Sequence, residues 1–141
     1  GDISEELVRG REYLFVDYIM RREKVGLFDS MAVSEFDIQH YASALARPGA
    51  LRSSFNYYRT LPIDRDDNRI WGRTPLSMPV LAVGAQWGYG DASAQTIRRV
   101  ASNVEDVLID RCGHYPPEER PAELASAIQD LLTKPSPQAS A

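Results

Sequence analysis

Two short apolar runs constrain this chain more than anything else in it. Met78-Pro79-Val80-Leu81-Ala82-Val83-Gly84 is bounded by proline and glycine, and a second run follows from Val104 to Asp110. Short stretches that are apolar at consecutive positions are expected for strands buried on both faces. A Gly-rich turn, Gly84 to Gly90, and a helix from about Ala92 to Ser102 separate the two. Strand, helix and strand then make one βαβ unit, right-handed by the general rule for such crossovers. Two parallel strands alone can neither bury both faces nor close their edges. The remaining sequence supplies no further strand, so the sheet calls for more strands, from upstream sequence or a partner chain.

Everything ahead of the first strand reads as helix. Ile3 to Glu23 carries a stripe of Leu7, Leu14, Phe15, Tyr18 and Ile19 near helical period. Gly10 weakens this helix by about 1 kcal/mol relative to alanine, and Gly26 is a natural stop. Gly1 and Asp2 lead almost directly into the pattern, as in a chain that begins inside a domain. Ser34 is a good N-cap for a second helix to about Ala46, with Asp37 in its first turn and Phe36, Ile38, Tyr41, Ala42 and Leu45 on its apolar side. A third helix runs from about Ala50 to Thr60 and ends at Leu61-Pro62, carrying Phe55-Asn56-Tyr57-Tyr58-Arg59. Asp64 to Arg73 is charged and reads as an irregular, solvated connection. A last helix spans Ala122 to Leu132, and the proline-containing tail after it is expected to stay disordered.

Composition removes several function classes. The net charge of −4, without a Lys/Arg stripe, argues against nucleic acid. No apolar run approaches the roughly 18 residues of a membrane span, and no signal peptide is visible. The lone Cys112 excludes an internal disulfide and a Cys-only zinc site. It fits a reducing, cytoplasmic setting and reads as small packing beside the sheet. His40 reads as a polar-face residue, and no metal-ligand spacing appears. Gly84 to Gly90 lacks both the Lys-Ser/Thr ending of a phosphate loop and the spacing of a dinucleotide fingerprint. No cofactor is implied. Trp87, in that loop at the rim of the sheet, is the candidate to line a pocket.

The chemistry concentrates in Asp110-Arg111-Cys112-Gly113-His114-Tyr115-Pro116-Pro117-Glu118-Glu119-Arg120-Pro121. Imidazole has an ordinary pKa near neutrality and, held by a carboxylate, serves as a general base. Gly113 permits a sharp turn beside His114, and the prolines fix the exit. The residues alone leave two uses open: a base at the end of the last strand, or a structural loop histidine bonded to backbone.

This segment resembles the Gly-His-aromatic, Glu-Glu, Pro segment of α/β-hydrolases of the epoxide hydrolase and haloalkane/haloacetate dehalogenase group. Phe55-Asn56-Tyr57-Tyr58-Arg59 is similar to the cap motif of epoxide hydrolases, in which a tyrosine immediately precedes an arginine. Met78 to Gly90 resembles the penultimate strand and its loop. The resemblance implies an α/β class chain, the C-terminal portion of an α/β-hydrolase fold with part of a helical cap. Residues 1–62 would be cap, 63–77 a connection, 78–133 the βαβα end of the core and 134–141 a tail.

In that family an aspartate opens an epoxide to an ester, cap tyrosines donate to the ring oxygen, and a histidine activates the water that hydrolyses the ester. Carried over, His114 matches the base and Tyr58 one oxygen-activating tyrosine, while Tyr57 is assigned to packing. No carboxylate or serine here stands on a nucleophile elbow. Trp87 occupies the place where many relatives carry the orienting acid, and Asp91 reads as a helix cap. Both carboxylates are therefore expected from an N-terminal half of the core, as upstream sequence or a separate chain. The resemblance implies a small hydrophobic epoxide as substrate. A dehalogenase of the same fold and a non-catalytic interaction module are the alternatives. The open strand edge favours association, a homodimer included.

Overall fold

The first helical stretch is two helices rather than one. The computed structural model describes residues 3–22 and 25–134, and Gly10 divides α1 (Ile3–Val8) from α2 (Glu12–Arg21). Gly10 adopts φ +76°, a left-handed conformation that other residues enter only at a cost, and its N–H is taken by Glu12 at 3.0 Å. The break resets the helical phase. Leu7, Leu14 and Tyr18 are exposed, whereas Val8, Val16 and Met20 are buried, so the expected stripe is displaced. Glu23, where that helix was expected to end, lies outside the described residues.

α3 (Glu35–Leu45) begins as its sequence suggests. The Ser34 hydroxyl accepts from the Asp37 N–H at 3.3 Å, and the Asp37 carboxylate accepts from the Ser34 N–H at 3.0 Å. This reciprocal pairing satisfies two amide groups that a helix start otherwise leaves unbonded. Ile38, fully buried, joins Val16, Met20, Leu27, Val33 and Ala42 in the core between α2 and α3. Phe36, two residues from Ile38 and so on the far face of α3, is exposed instead of packed.

α4 (Ala50–Trp71) does not stop at Pro62 but continues through the charged stretch expected to be irregular. Proline lacks the N–H that would bond the Tyr58 carbonyl, a cost of about 3 kcal/mol in a helix interior. Beyond it, Arg69 pairs with Asp66 at 3.4 Å, and Gly72 closes the end on the Asn68 carbonyl at 2.9 Å. Ion pairs one turn apart support an exposed helix by a few tenths of a kcal/mol each.

β1 (Val80–Ala85) and β2 (Val104–Ile109) pair in parallel, in register from Val80 with Val104 to Ala85 with Ile109. Between them α5 (Ala92–Ile97) is shorter than expected. The Val100 carbonyl and the Ser102 N–H bond Leu76 instead, at 2.8 and 2.9 Å, extending the pairing by one bridge. Asp91 occupies the N-cap position of α5 without a side-chain capping bond. Among the described residues each strand has one neighbour, and burial on both faces is not reached: Val80, Leu81 and Val83 stay half-buried and Leu108 is exposed. α6 (Pro116–Glu119) is a single turn that the sequence reading missed, and α7 (Pro121–Thr133) follows. Both begin on prolines, whose missing N–H costs nothing in a first turn. Leu124 of α7 packs on Ala85, Ile109 and Cys112. The tail from 135 onward lies outside the described residues. No described helix is long and apolar enough to cross a membrane.

Ile38→Ala is expected to cost about 2–5 kcal/mol in denaturant unfolding, because the site is sealed. The Asp37 carboxyl is held below its usual range, chiefly by the Ser34 hydroxyl and then by the Ser34 N–H. A folded-state pKa that is depressed gives stability above the unfolded value that is lost as pH falls through the folded one. The difference in unfolding midpoint between the wild type and Asp37→Asn should therefore shrink as pH drops below about 4, the ordinary aspartate range.

Candidate active site

The loop after β2 is pinned from two directions by one carboxylate. Glu119, presented by the proline-started turn of α6, is buried at 5 % exposure. Its Oε1 accepts from the Gly113 N–H at 2.8 Å and the Tyr115 N–H at 3.4 Å. Its Oε2 accepts from the Phe28 N–H at 2.6 Å and, more loosely, the Asp29 N–H at 3.3 Å. The His114 N–H donates to the Gly26 carbonyl at 2.8 Å. Gly113 is required here: a Cβ on it would lie 2.3 Å from the Gly26 oxygen and 2.5 Å from the Phe28 nitrogen. The backbone of His114 is thereby laced to the stretch that follows α2. Sequence reasoning noticed the Glu118-Glu119 pair but gave no reason to separate the two. One lines a cleft and the other is the clamp.

The His114 ring is exposed, edge-on to Tyr115 at 5.1 Å and 6.1 Å from Tyr89. Among the described residues no carboxylate is hydrogen-bonded to it, Asp91 included. Tyr89 and Tyr115 line a cleft of about 830 Å³, and Tyr58 of α4 lines it too. The structure therefore brings the histidine loop and the cap tyrosine to one cleft. Burial, with a smaller contribution from Tyr58, pushes the Tyr115 phenol up, while Arg22 opposes the rise. Tyr57, assigned to packing in the sequence, is 80 % exposed and lines the same cleft. The reason is that α4 buries Leu51 and little else, so neighbouring aromatics on it can both face the opening.

Arg59 anchors these tyrosines. It bonds the Asn56 side chain at 2.7 Å and the buried carboxylate of Glu5 at 2.9 Å, which Arg52 also approaches at 3.4 Å. Trp87, expected to line the pocket, lies outside the cleft wall. Its N–H is fixed to the Cys112 carbonyl at 2.9 Å, and its ring packs on Phe28 at 5.7 Å instead. Arg111, held at φ +47°, covers the Phe28 ring at 5.9 Å. Burial raises the Cys112 thiol to about 11, consistent with packing and not with reactivity. His40 is exposed, and among the described residues no group of three or more potential metal ligands is assembled.

Comparison with known proteins gives the arrangement its place. The epoxide hydrolase CorEH superposes with a TM-score of 0.85 at 26 % identity, over 93 % of this chain and 46 % of its own. Cfl2 of Burkholderia cenocepacia superposes with a TM-score of 0.82 at 32 % identity, over 92 % of this chain and 44 % of its own. This is the C-terminal portion of an α/β-hydrolase fold. In sequence, the soluble epoxide hydrolase of Corynebacterium sp. (strain C12) is 35 % identical over 88 residues, 62 % of this chain and 30 % of that protein. The α/β-hydrolase chain thus resembles epoxide hydrolases and spans less than half the length of these relatives. No protein-family profile matches it.

Replacing Glu119 by glutamine sets an amide N–H₂ against backbone donors that now meet a carboxylate. Glu119→Gln is expected to lower stability by about 3 kcal/mol, since buried amide donors without acceptors cost about 1–3 kcal/mol each. Hydrogen exchange should speed up first at the Phe28, Gly113 and Tyr115 amides. Loss spread evenly over the chain would argue against a local clamp.

Proposed function

We propose that this chain supplies the water-activating base and an oxygen-activating tyrosine of an epoxide hydrolase-like enzyme. The observation that supports the reading is that Tyr89 and Tyr115, the two rings in contact with His114, line one cleft with Tyr58, while His114 itself stands just behind them and not in the cleft wall. A carboxylate outside these 141 residues attacks a ring carbon of the epoxide, the C–O bond breaks, and the oxygen takes a proton from Tyr58. The His114 imidazole then removes a proton from water, whose oxygen attacks the ester carbonyl. The imidazolium returns that proton to the departing diol oxygen, and the proton of the released carboxyl group passes through solvent to the Tyr58 phenolate, restoring both groups. A phenol suits the first step, because it keeps its proton at neutral pH and stabilises a developing alkoxide. An orienting acid for His114 belongs with the nucleophile, in the other half of the core. The same half would complete the parallel sheet beside the open strand edges.

A dehalogenase reading fits the cleft less well. A halide leaving group wants indole or amide donors, and Trp87 lies outside the cleft wall. In the intact protein Tyr58→Phe should slow epoxide turnover by about 10²-fold, the usual range for a positioned proton donor. His114→Ala should stop turnover after one cycle and leave a protein adduct, heavier by the mass of the epoxide, visible by mass spectrometry. Unchanged turnover in Tyr58→Phe, or no adduct with His114→Ala, would overturn the assignments. Release of halide without epoxide hydrolysis would transfer the chain to the dehalogenase reading.

A further inference from the structure

The cleft that holds Tyr58 is chemically uneven. Most of the lining is hydrocarbon and ring, with Phe15, Ile19, Leu45, Leu51, Phe55 and Leu61 among it. Tyr41, Tyr115 and Glu118 add polar atoms to the same lining, the last two from the segment that follows His114. Among the described residues lining the cleft, Glu118 is the one with a formal charge, and no lysine or arginine faces it there. The Tyr41 hydroxyl donates to Glu118 Oε1, and no described residue donates to Oε2. Setting a carboxylate in an apolar cleft with most of its acceptor sites unused is unfavourable unless a ligand or water completes it.

The surroundings reinforce the sign. The hydrogen bond to Glu118, then burial, then the charges of Glu118 and Asp37 push the Tyr41 phenol up to about 12, so Tyr41 stays a proton donor to Glu118. Aromatic faces add in the same direction, since the π-face of a ring is its negative side. The opposing charge is Arg22, which acts on Tyr115 from outside the cleft wall.

We propose that Glu118, held by Tyr41, forms a polar subsite that binds a hydrogen-bond donor, an ammonium above all, that the substrate carries in addition to its epoxide. The subsite selects amine- or alcohol-bearing hydrophobic substrates and rejects carboxylates. It rests on the cleft being the substrate site, and it adds a specificity that the hydrolytic steps themselves do not require. Glu118 gives a charge-assisted hydrogen bond to an ammonium, and the tyrosine faces give cation–π contact. A carboxylate in the same place meets like charge with no partner.

Three probes of one shape test this on the intact protein: benzylammonium, benzyl alcohol and phenylacetate, titrated against tyrosine and tryptophan fluorescence. Benzylammonium should bind at least about tenfold more tightly than phenylacetate, with the alcohol between them. Glu118→Gln, nearly the same shape without the charge, should bring the outer two within about threefold. Phenylacetate binding as tightly as benzylammonium to the wild type would overturn the proposal without recourse to any variant. So would a ratio unchanged in Glu118→Gln. Epoxide turnover, measured separately, keeps the two readings apart. Turnover without charge preference sinks the subsite alone, and charge preference without turnover sinks the hydrolase reading alone.

Discussion

Four backbone N–H groups from two distant stretches of chain converge on the carboxylate of Glu119. Two of these bonds are short and two are long, which is what one small acceptor can offer to four donors fixed by their own chains. Withdrawn from water, a carboxylate is stable only when its lone pairs are taken, and here the takers are the amides on either side of His114 and the start of the segment after α2. The α/β part and the helical part of the molecule meet at this point. The position of the imidazole, the packing of Tyr115 beside it and the mouth of the cleft all follow from it.

The opposite wall of the cleft is held by a second buried carboxylate, used differently. Glu5 meets guanidinium groups on α4, and Arg59 also reaches back to Asn56 on its own helix. α4 buries so little apolar surface that packing alone does not fix its rotation. The ion pair supplies a rotational reference, and Tyr57 and Tyr58, immediately before Arg59, inherit it. A guanidinium bound to a buried carboxylate holds orientation better than an ammonium would, because its donors lie in a rigid plane.

Much of this was legible in the amino acids. The two apolar runs marked the parallel strands because no other pattern of that length and composition fits, and Ser34 with Asp37 announced its helix through local hydrogen bonds. His114 could be placed at the end of β2 because glycine and proline bracket it. What escaped depends on tertiary competition. Gly10 reads as a weak helical residue until its left-handed backbone divides the helix. Pro62 reads as a stop, yet ion pairs and a glycine cap carry α4 past it. The residues after α5 looked helical but are drawn into pairing with Leu76. Trp87 and Tyr57 exchanged expected roles, since which aromatic faces a cleft is settled by backbone ties far from it in sequence. Nothing local separates Glu118 from Glu119.

The Glu119 clamp also sets an order of events. Its bond to Phe28 joins positions 91 apart in the chain, so it forms only after the strands, their crossover and α4 have brought the two stretches together. Closing so long a loop costs entropy before the bond repays it, and contacts of this range slow folding. Locally the histidine loop owns little structure beyond the single turn of α6. The placement of the imidazole therefore depends on the docking of the two layers and not on the loop's own residues.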